Sequence, residues 1–166
     1  PSTTKSTFLF DGWYTQASGG IEATFPYQPL ANVTLYAQWI PLYVLSFNAQ
    51  SGSSVGDEEV EVLSSSPTTT RDGFEFQGWF DAASGGSAIS FPYTPASNTT
   101  LYAQWLPIYT VTFNTQRGTS VSSQDVARVT SAPTTTRYGY SLQGWFEAAS
   151  GGSAISFPYT PASNTT

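Results

Sequence analysis

The 166-residue sequence contains no cysteine, histidine or methionine, and only five of its residues are Lys or Arg. Without Cys and His, neither a disulfide framework nor an ordinary zinc site can form. The Ser-His-Asp and Cys-His catalytic arrangements are excluded for the same reason. Eleven acidic residues bring the net charge to −6, which argues against nucleic-acid binding because that binding depends on neutralising phosphates. The sequence therefore predicts no enzyme, no cofactor, no metal site and no nucleic-acid partner.

Strong helix formers are also scarce, and there is no run of about 18 apolar residues that could span a membrane. The abundant residues are Ser and Thr, together with 5 Trp, 10 Tyr, 11 Phe, 14 Gly and 11 Pro. Thr and the aromatic residues favour strands, whereas Gly and Pro favour turns. This composition predicts a mostly β fold, at the margin of the α+β class.

The whole sequence is built from a repeat of 66 residues. A Gly-Trp pair recurs at 12–13, 78–79 and 144–145. Residues 35–100 match residues 101–166 at 44 of 66 positions, and residues 1–34 match residues 67–100 at 17 of 34 positions. We therefore expect three domains: 1–41, the C-terminal half of a repeat unit; 42–107, a complete unit; and 108–166, a unit that lacks its closing strand.

The junctions between units are predicted at Pro41 and Pro107, with linkers of only a residue or two. Linkers this short would hold neighbouring units in a nearly fixed orientation and make the array a semi-rigid rod. A unit of this size buries a modest core, so contacts between neighbouring units are expected to add stability.

Alternating apolar residues predict several short strands within each unit. An opening strand is predicted at Tyr109–Asn114, and a weaker strand at Glu59–Leu63 and its copy Val126–Thr130. The Pro-Thr-Thr-Thr runs at 67–70 and 133–136 are predicted to be extended loops, because Pro and the residue before it disfavour helix.

Two further segments of the unit carry most of its aromatic residues. In residues 73–80 the alternation places three phenylalanines on one face of a strand and Trp79 on the other, unless a bulge at Gly78 turns the indole. A closing strand is predicted at Leu101–Trp105, with Leu101, Ala103 and Trp105 facing inwards.

These segments resemble the motifs of the Listeria–Bacteroides repeat, also called the internalin B B-repeat. The matching features are the opening strand Tyr109–Asn114, the core motif at Gly73–Phe80 and Gly139–Phe146, and the closing Leu-Tyr-Ala-Gln-Trp of residues 101–105. The resemblance covers the whole chain.

Departures from the family pattern are small. Thr7 stands where the core motif has Gly, Leu142 replaces an aromatic residue, and the turn after the opening strand has lost glycines. The resemblance implies a β-grasp-like unit and a tandem array in secreted or wall-attached bacterial proteins, where such repeats serve as spacers and in adhesion. It implies no catalytic residues.

Two sets of aromatic and proline residues are candidates for function. Trp13, Trp79 and Trp145 could form a platform on which sugar rings stack, although strand tryptophans more often fill a core. A second set is expected to pack at the junctions between units and consists of Trp39, Pro41, Trp105 and Pro107.

An acidic cluster at Asp57–Glu61 could suggest calcium or a carboxylate pair. Its aligned residues in the next unit are mostly uncharged, so a solvated edge strand is the better interpretation.

The favoured hypothesis is a non-catalytic, structural repeat segment on the bacterial cell surface, outside the cell. It would serve as the stalk or spacer of an adhesin or as the body of a surface fibre. Its partners would be neighbouring units and, in a fibre, further copies placed end to end. The alternative is a module that binds glycans or a host receptor through exposed aromatic side chains repeated on every unit.

Overall fold

A computed structural model describes residues 2–166 of the chain. These residues form eight β-strands and none of them lies in a helix. The predicted mostly β class is confirmed. The strands are β1 (Phe8–Tyr14), β2 (Tyr36–Pro41), β3 (Tyr43–Asn48), β4 (Glu58–Val60), β5 (Phe74–Phe80), β6 (Thr99–Pro107), β7 (Tyr109–Val111) and β8 (Gln124–Val126).

The chain divides into two compact units, each assembled from segments that are separated in the sequence. The first consists of Pro1–Gln50, Ser54–Thr68 and Trp79–Ala103. The second consists of Ser51–Ser53, Thr69–Gly78 and Gln104–Thr166. The 66-residue domain boundaries drawn from the repeat stay a prediction.

The strands form three sheets, with the orders β1-β2, β4-β3-β6-β5 and β7-β8. The opening strand β3 pairs antiparallel with β4 and parallel with the closing strand β6. A parallel pair cannot be closed by a tight hairpin and needs a long connection. Here that connection holds the Pro-Thr-Thr-Thr loop and the Gly-Trp strand of the same repeat.

A β-bulge in β1 decides where the Gly-Trp tryptophan points. Phe10 pairs with Trp39, but Gly12 pairs with the adjacent Gln38, so that Asp11 is an extra residue in the strand. The extra residue breaks the alternation and brings the rings of Phe10 and Trp13 to 5.8 Å. In the first repeat the bulge therefore places Trp13 on the same face as Phe10, while the orientation predicted for Trp79 stays a prediction.

The glycine of the Gly-Trp pair has an unusual backbone conformation in the later repeats. Gly78 has φ 126° and Gly144 has φ 141°, values that side-chain-bearing residues rarely adopt. In the Gly-Trp pair the glycine therefore allows a backbone conformation that other residues rarely adopt, and the tryptophan packs against its neighbours.

The core of the second repeat lies on one face of its sheet. Leu45, Leu101 and Trp79 are fully buried, Ala103 is 1% exposed, and Phe47 is also buried. The inward positions predicted for Leu101 and Ala103 are therefore confirmed, whereas Trp105, predicted on the same face, is only half-buried.

The third repeat forms fewer strands than its sequence pattern predicts. Its opening strand β7 ends at Val111, although the alternation runs to Asn114, and residues 139–146 form only isolated bridges. The physical reason is the missing neighbour, since no residue of this sequence aligns in the third repeat with Leu101–Trp105.

The weaker predicted strand is short and begins slightly earlier than its sequence pattern indicates. The observed segments are β4 and β8, while Leu63 and Val129 form single bridges to Tyr93 and Tyr159. Glu58 and Glu59 belong to β4, which is the outer strand of the four-stranded sheet. Charged residues at this edge disfavour pairing with another strand.

Candidate functional site

The tryptophans of the last two Gly-Trp pairs are buried. Trp79 is 0% exposed and Trp145 is 9% exposed. The indole Nε1 of Trp79 donates a hydrogen bond to the carbonyl oxygen of Pro67 at 2.9 Å. Trp145 makes the same bond to Pro133 at 2.9 Å. A buried indole N–H needs such a partner, so each ring is held in place by packing and by one directed bond.

An aromatic residue of the opening strand completes each tryptophan site. The rings of Phe47 and Trp79 lie 4.9 Å apart with their planes at 67°. Those of Phe113 and Trp145 lie 5.1 Å apart at 70°. This edge-to-face arrangement is favourable for aromatic pairs. Both rings are buried, and the sugar-stacking platform stays a prediction.

The first repeat differs, because Trp13 is only half-buried. Its ring packs edge-on against Phe10 at 5.8 Å. Phe10 in turn contacts Trp39 at 5.4 Å. The structure therefore brings two predicted site residues together around one phenylalanine.

The four residues predicted at the unit junctions lie at or near the ends of the closing strands. Pro41 is the last residue of β2 and Pro107 is the last residue of β6. The ring of Trp105 lies 5.2 Å from that of Phe76, inside the same repeat. The packing of these residues between units stays a prediction.

The Pro-Thr-Thr-Thr loop contains a buried polar contact that the sequence analysis did not identify. Thr69 is 6% exposed, and its hydroxyl donates to the carbonyl oxygen of Ser53 at 2.7 Å. The backbone N–H of Thr70 donates to the Ser53 hydroxyl at 2.9 Å. Thr135 and Thr119 repeat the first bond at 2.7 Å. The Pro-Thr-Thr-Thr run occurs in two repeats, and this recurrence is the sequence feature that could have indicated the contact.

A turn that recurs in all three repeats places a cation over an aromatic ring. Lys5 Nζ lies 3.8 Å from the centre of the Phe8 ring, and the Arg71 guanidinium lies 3.8 Å from that of Phe74. Arg137 lies 3.9 Å from the ring of Tyr140. We call residues 5–8, 71–74 and 137–140 the cation–aromatic turns. Contacts of this kind stabilise locally, by about 0.5–1 kcal/mol at exposed sites.

One tyrosine has a perturbed acidity. The Tyr14 hydroxyl donates to Asp11 Oδ2 at 2.7 Å. This bond, with smaller contributions that include the charges of Asp11 and Glu22, raises the pKa of Tyr14 to about 12. A phenol that is harder to ionise is a poor general base, so the pair is best described as a local contact. Across residues 2–166 no three His, Cys, Asp or Glu side chains lie close enough to hold a metal ion.

Comparison with known proteins identifies the family of the repeat that carries these contacts. The model of the Listeria-Bacteroides repeat domain matches residues 1–38, 43–104 and 109–166. The chain belongs to this family. The resemblance of its motifs to the Listeria–Bacteroides repeat is thereby confirmed, and the family explains why each repeat carries the same Gly-Trp pair.

Two curated proteins illustrate where similar repeats occur. Internalin H of Listeria monocytogenes serovar 1/2a is 36% identical over 108 residues, which is 61% of this chain and 20% of that protein. A protein of Evansella cellulosilytica named "Putative Gly-rich membrane protein" is 30% identical over 156 residues, which is 86% of this chain and 18% of that protein. The chain thus spans about a fifth of the length of these relatives. No solved structure matches it.

Proposed function

We propose that this chain is a non-catalytic structural segment of tandem repeats in an extracellular protein of the bacterial surface, where it acts as a stalk or spacer or as the body of a fibre. The observation that carries the proposal is the recurrence of one internal contact set. The Phe–Trp ring pair and the bond from indole to proline carbonyl appear in both the second and third repeats. These two repeats therefore use their aromatic residues for internal packing.

The relatives support this location. One is an internalin and the other is named as a membrane protein, and the match covers about a fifth of the length of each. Among residues 2–166 there is no helix of the length and apolarity that crossing a bilayer requires. A segment built from tandem copies of one repeat fits a spacing role, in which the number of copies matters more than any single residue.

The mixed sheet of the second repeat supports a β-grasp-like unit. In it the opening and closing strands lie side by side in parallel, and β4 pairs antiparallel with the opening strand. If such units are joined by linkers of one or two residues, the orientation of one unit would largely fix the orientation of the next.

The glycan- or receptor-binding alternative needs an exposed aromatic patch on every repeat. Burial of Trp79 and Trp145 favours the structural role, and no other observation in the described part of the chain favours the alternative.

The proposal is tested by replacing the segment within the protein that carries it. One strain has residues 1–166 deleted, and another has them replaced by an unrelated β-rich repeat segment of similar length. Antibodies against the chain should label intact cells of the unmodified strain. We expect deletion to impair surface presentation of the distal domains and the unrelated spacer to restore it. Restoration only by the native sequence would instead indicate a specific binding role.

A further inference from the structure

The opening and closing strands of the second repeat are neighbours in one sheet and run in the same direction. Residues 45–48 of β3 pair in register with residues 99–102 of β6, and the paired residues all belong to the first compact unit. The chain enters this repeat just before β3 and leaves it at the end of β6, with further residues on both sides. In a parallel pair, the start of one strand and the end of the other lie at opposite ends of the pair. Tension along the chain therefore pulls β3 and β6 past each other, in shear along the strand direction.

The direction of the load decides how the hydrogen bonds of this pair are strained. The bonds between parallel strands are spaced evenly along the ladder, so a pull along the strands strains them all together. The antiparallel pair of β3 and β4 offers the opposite case within the same repeat. Tyr43 pairs with Val60 at one end of that pair, so opposing forces applied at that end would open its bonds one after another.

Buried side chains hold the same two parallel strands together. Leu45 and Leu101 are 0% exposed, and Phe47, which is opposite Leu101 in the register, is also buried. The ring of Phe47 packs against that of Trp79 at 4.9 Å, and the Trp79 indole is bonded to the Pro67 carbonyl. Sliding β6 along β3 would disrupt this packing together with the backbone bonds, because a close-packed interior resists displacement.

We propose that the parallel pair of β3 and β6 is a mechanical clamp, which keeps the repeat folded when tension acts on the chain. A load that reaches the repeat must separate these two strands before the residues between them can extend. Resistance to forced unfolding is governed by the rate of unfolding and not by the equilibrium free energy. The clamp therefore makes the repeat resist tension along the strands more than tension applied across them.

The clamp is a property of one repeat and does not depend on the proposed role as stalk, spacer or fibre body. Deletion and replacement of the segment test that role through surface presentation in cells, whereas the clamp is tested by pulling on the isolated chain. Either proposal can therefore fail while the other stands.

Single-molecule pulling on the full 166-residue chain tests the clamp. The sequence contains no cysteine, so two introduced thiols are unique attachment points. One chain carries P41C and I108C, which replace exposed residues on either side of the repeat and load β3 and β6 in shear. The matched control carries P41C and V62C, which also replace exposed residues and pull β3 and β4 apart from one end. Both chains are first checked by chemical denaturation against the unmodified chain, so that forces are compared at equal stability.

We expect the P41C/I108C chain to rupture at a force at least about threefold higher than the P41C/V62C chain, because its ladder bonds are strained together and not singly. The high-force rupture should release the repeat in one step of about 200 Å, since each released residue extends by about 3.5 Å.

Either of two results would overturn the proposal. Equal rupture forces in the two chains would show that the direction of the load has no effect on the repeat. A higher force for the P41C/V62C chain would show that the pair of β3 and β4, and not the pair of β3 and β6, resists tension.

Discussion

The side-chain oxygen of Asn98 accepts a hydrogen bond from the backbone N–H of Val44 at 2.9 Å. The two residues are 54 positions apart, and the bond ties the loop before the closing strand to the opening strand of the same repeat. Asn164 and Thr110 make the same bond at 2.9 Å. A side-chain acceptor thus satisfies a backbone donor at the start of each opening strand.

Replacing Asn98 should destabilise the second repeat. We expect Asn98→Ala to lower the free energy of unfolding by about 1–2 kcal/mol, because the Val44 N–H loses its acceptor. Asn32→Ala is the matched control, since the sequence has no residue aligned with Val44 in the first repeat, and it should change stability by less than about 0.5 kcal/mol. Chemical denaturation measures both. Equal losses in the two variants would contradict this role for Asn98.

Thr7, in the first cation–aromatic turn, has a strained backbone conformation that a glycine would relieve. Thr7 has φ 61°, whereas the aligned Gly73 has φ 73°. A β-branched residue is unfavourable in this left-handed region, so Thr7→Gly should raise stability by about 0.5–1 kcal/mol after the entropy cost of glycine is included. The reverse change Gly73→Thr should lower stability by about 1–2 kcal/mol. Thermal unfolding of both variants tests the sign, and a destabilised Thr7→Gly chain would show that the turn is unstrained.

Trp79→Phe tests how much a buried indole stabilises the fold, and Trp13→Phe tests the half-buried indole of the first repeat. The substitution leaves the Pro67 carbonyl without its donor and opens a cavity in the core. We expect a loss of about 2–4 kcal/mol. Trp13→Phe changes a half-buried side chain and should cost less than about 1.5 kcal/mol. Denaturation followed by circular dichroism compares them. A cost for Trp13→Phe that matches that of Trp79→Phe would refute the burial argument.

The stability of the first repeat should depend on pH in the alkaline range through Tyr14. The folded-state pKa is raised from 10.0 to about 12, so the neutral phenol is favoured by folding. The stabilising contribution is therefore fully present below pH 10, declines as the pH rises and is lost above about pH 12. Site-resolved carbon NMR of Tyr14 measures the pKa. Asp11→Asn should lower it towards 10.0, and an unchanged pKa in that variant would remove Asp11 as the cause.

Much of the fold could be read from local pattern. The 66-residue period, the mostly β class and the inward positions of Leu101 and Ala103 all follow from alternation and repetition along the chain. The same reasoning could not decide the orientation of the Gly-Trp tryptophan, because that depends on one extra residue opposite the partner strand. Nor could it identify the contact between Thr69 and Ser53, which links residues 16 positions apart.

The three tryptophans of the candidate platform also separate what the sequence predicts from what tertiary contacts decide. The sequence identifies Trp13, Trp79 and Trp145 as equivalent, and they occupy equivalent positions in the repeat. Their exposure nevertheless differs, because Trp79 and Trp145 each pack against a phenylalanine from an opening strand. The first repeat has no residues aligned with that strand in this sequence, and Trp13 is correspondingly less buried.

By itself, the sequence determined the repeat, the strand-forming character of each segment, the family and the absence of the side chains that common catalytic sites require. These properties depend on residue type and on spacing within a few positions. Tertiary structure alone decided the bulge in β1 and the parallel pairing of opening and closing strands. Those features depend on which distant segment supplies the neighbouring strand, and local alternation contains no information about that neighbour.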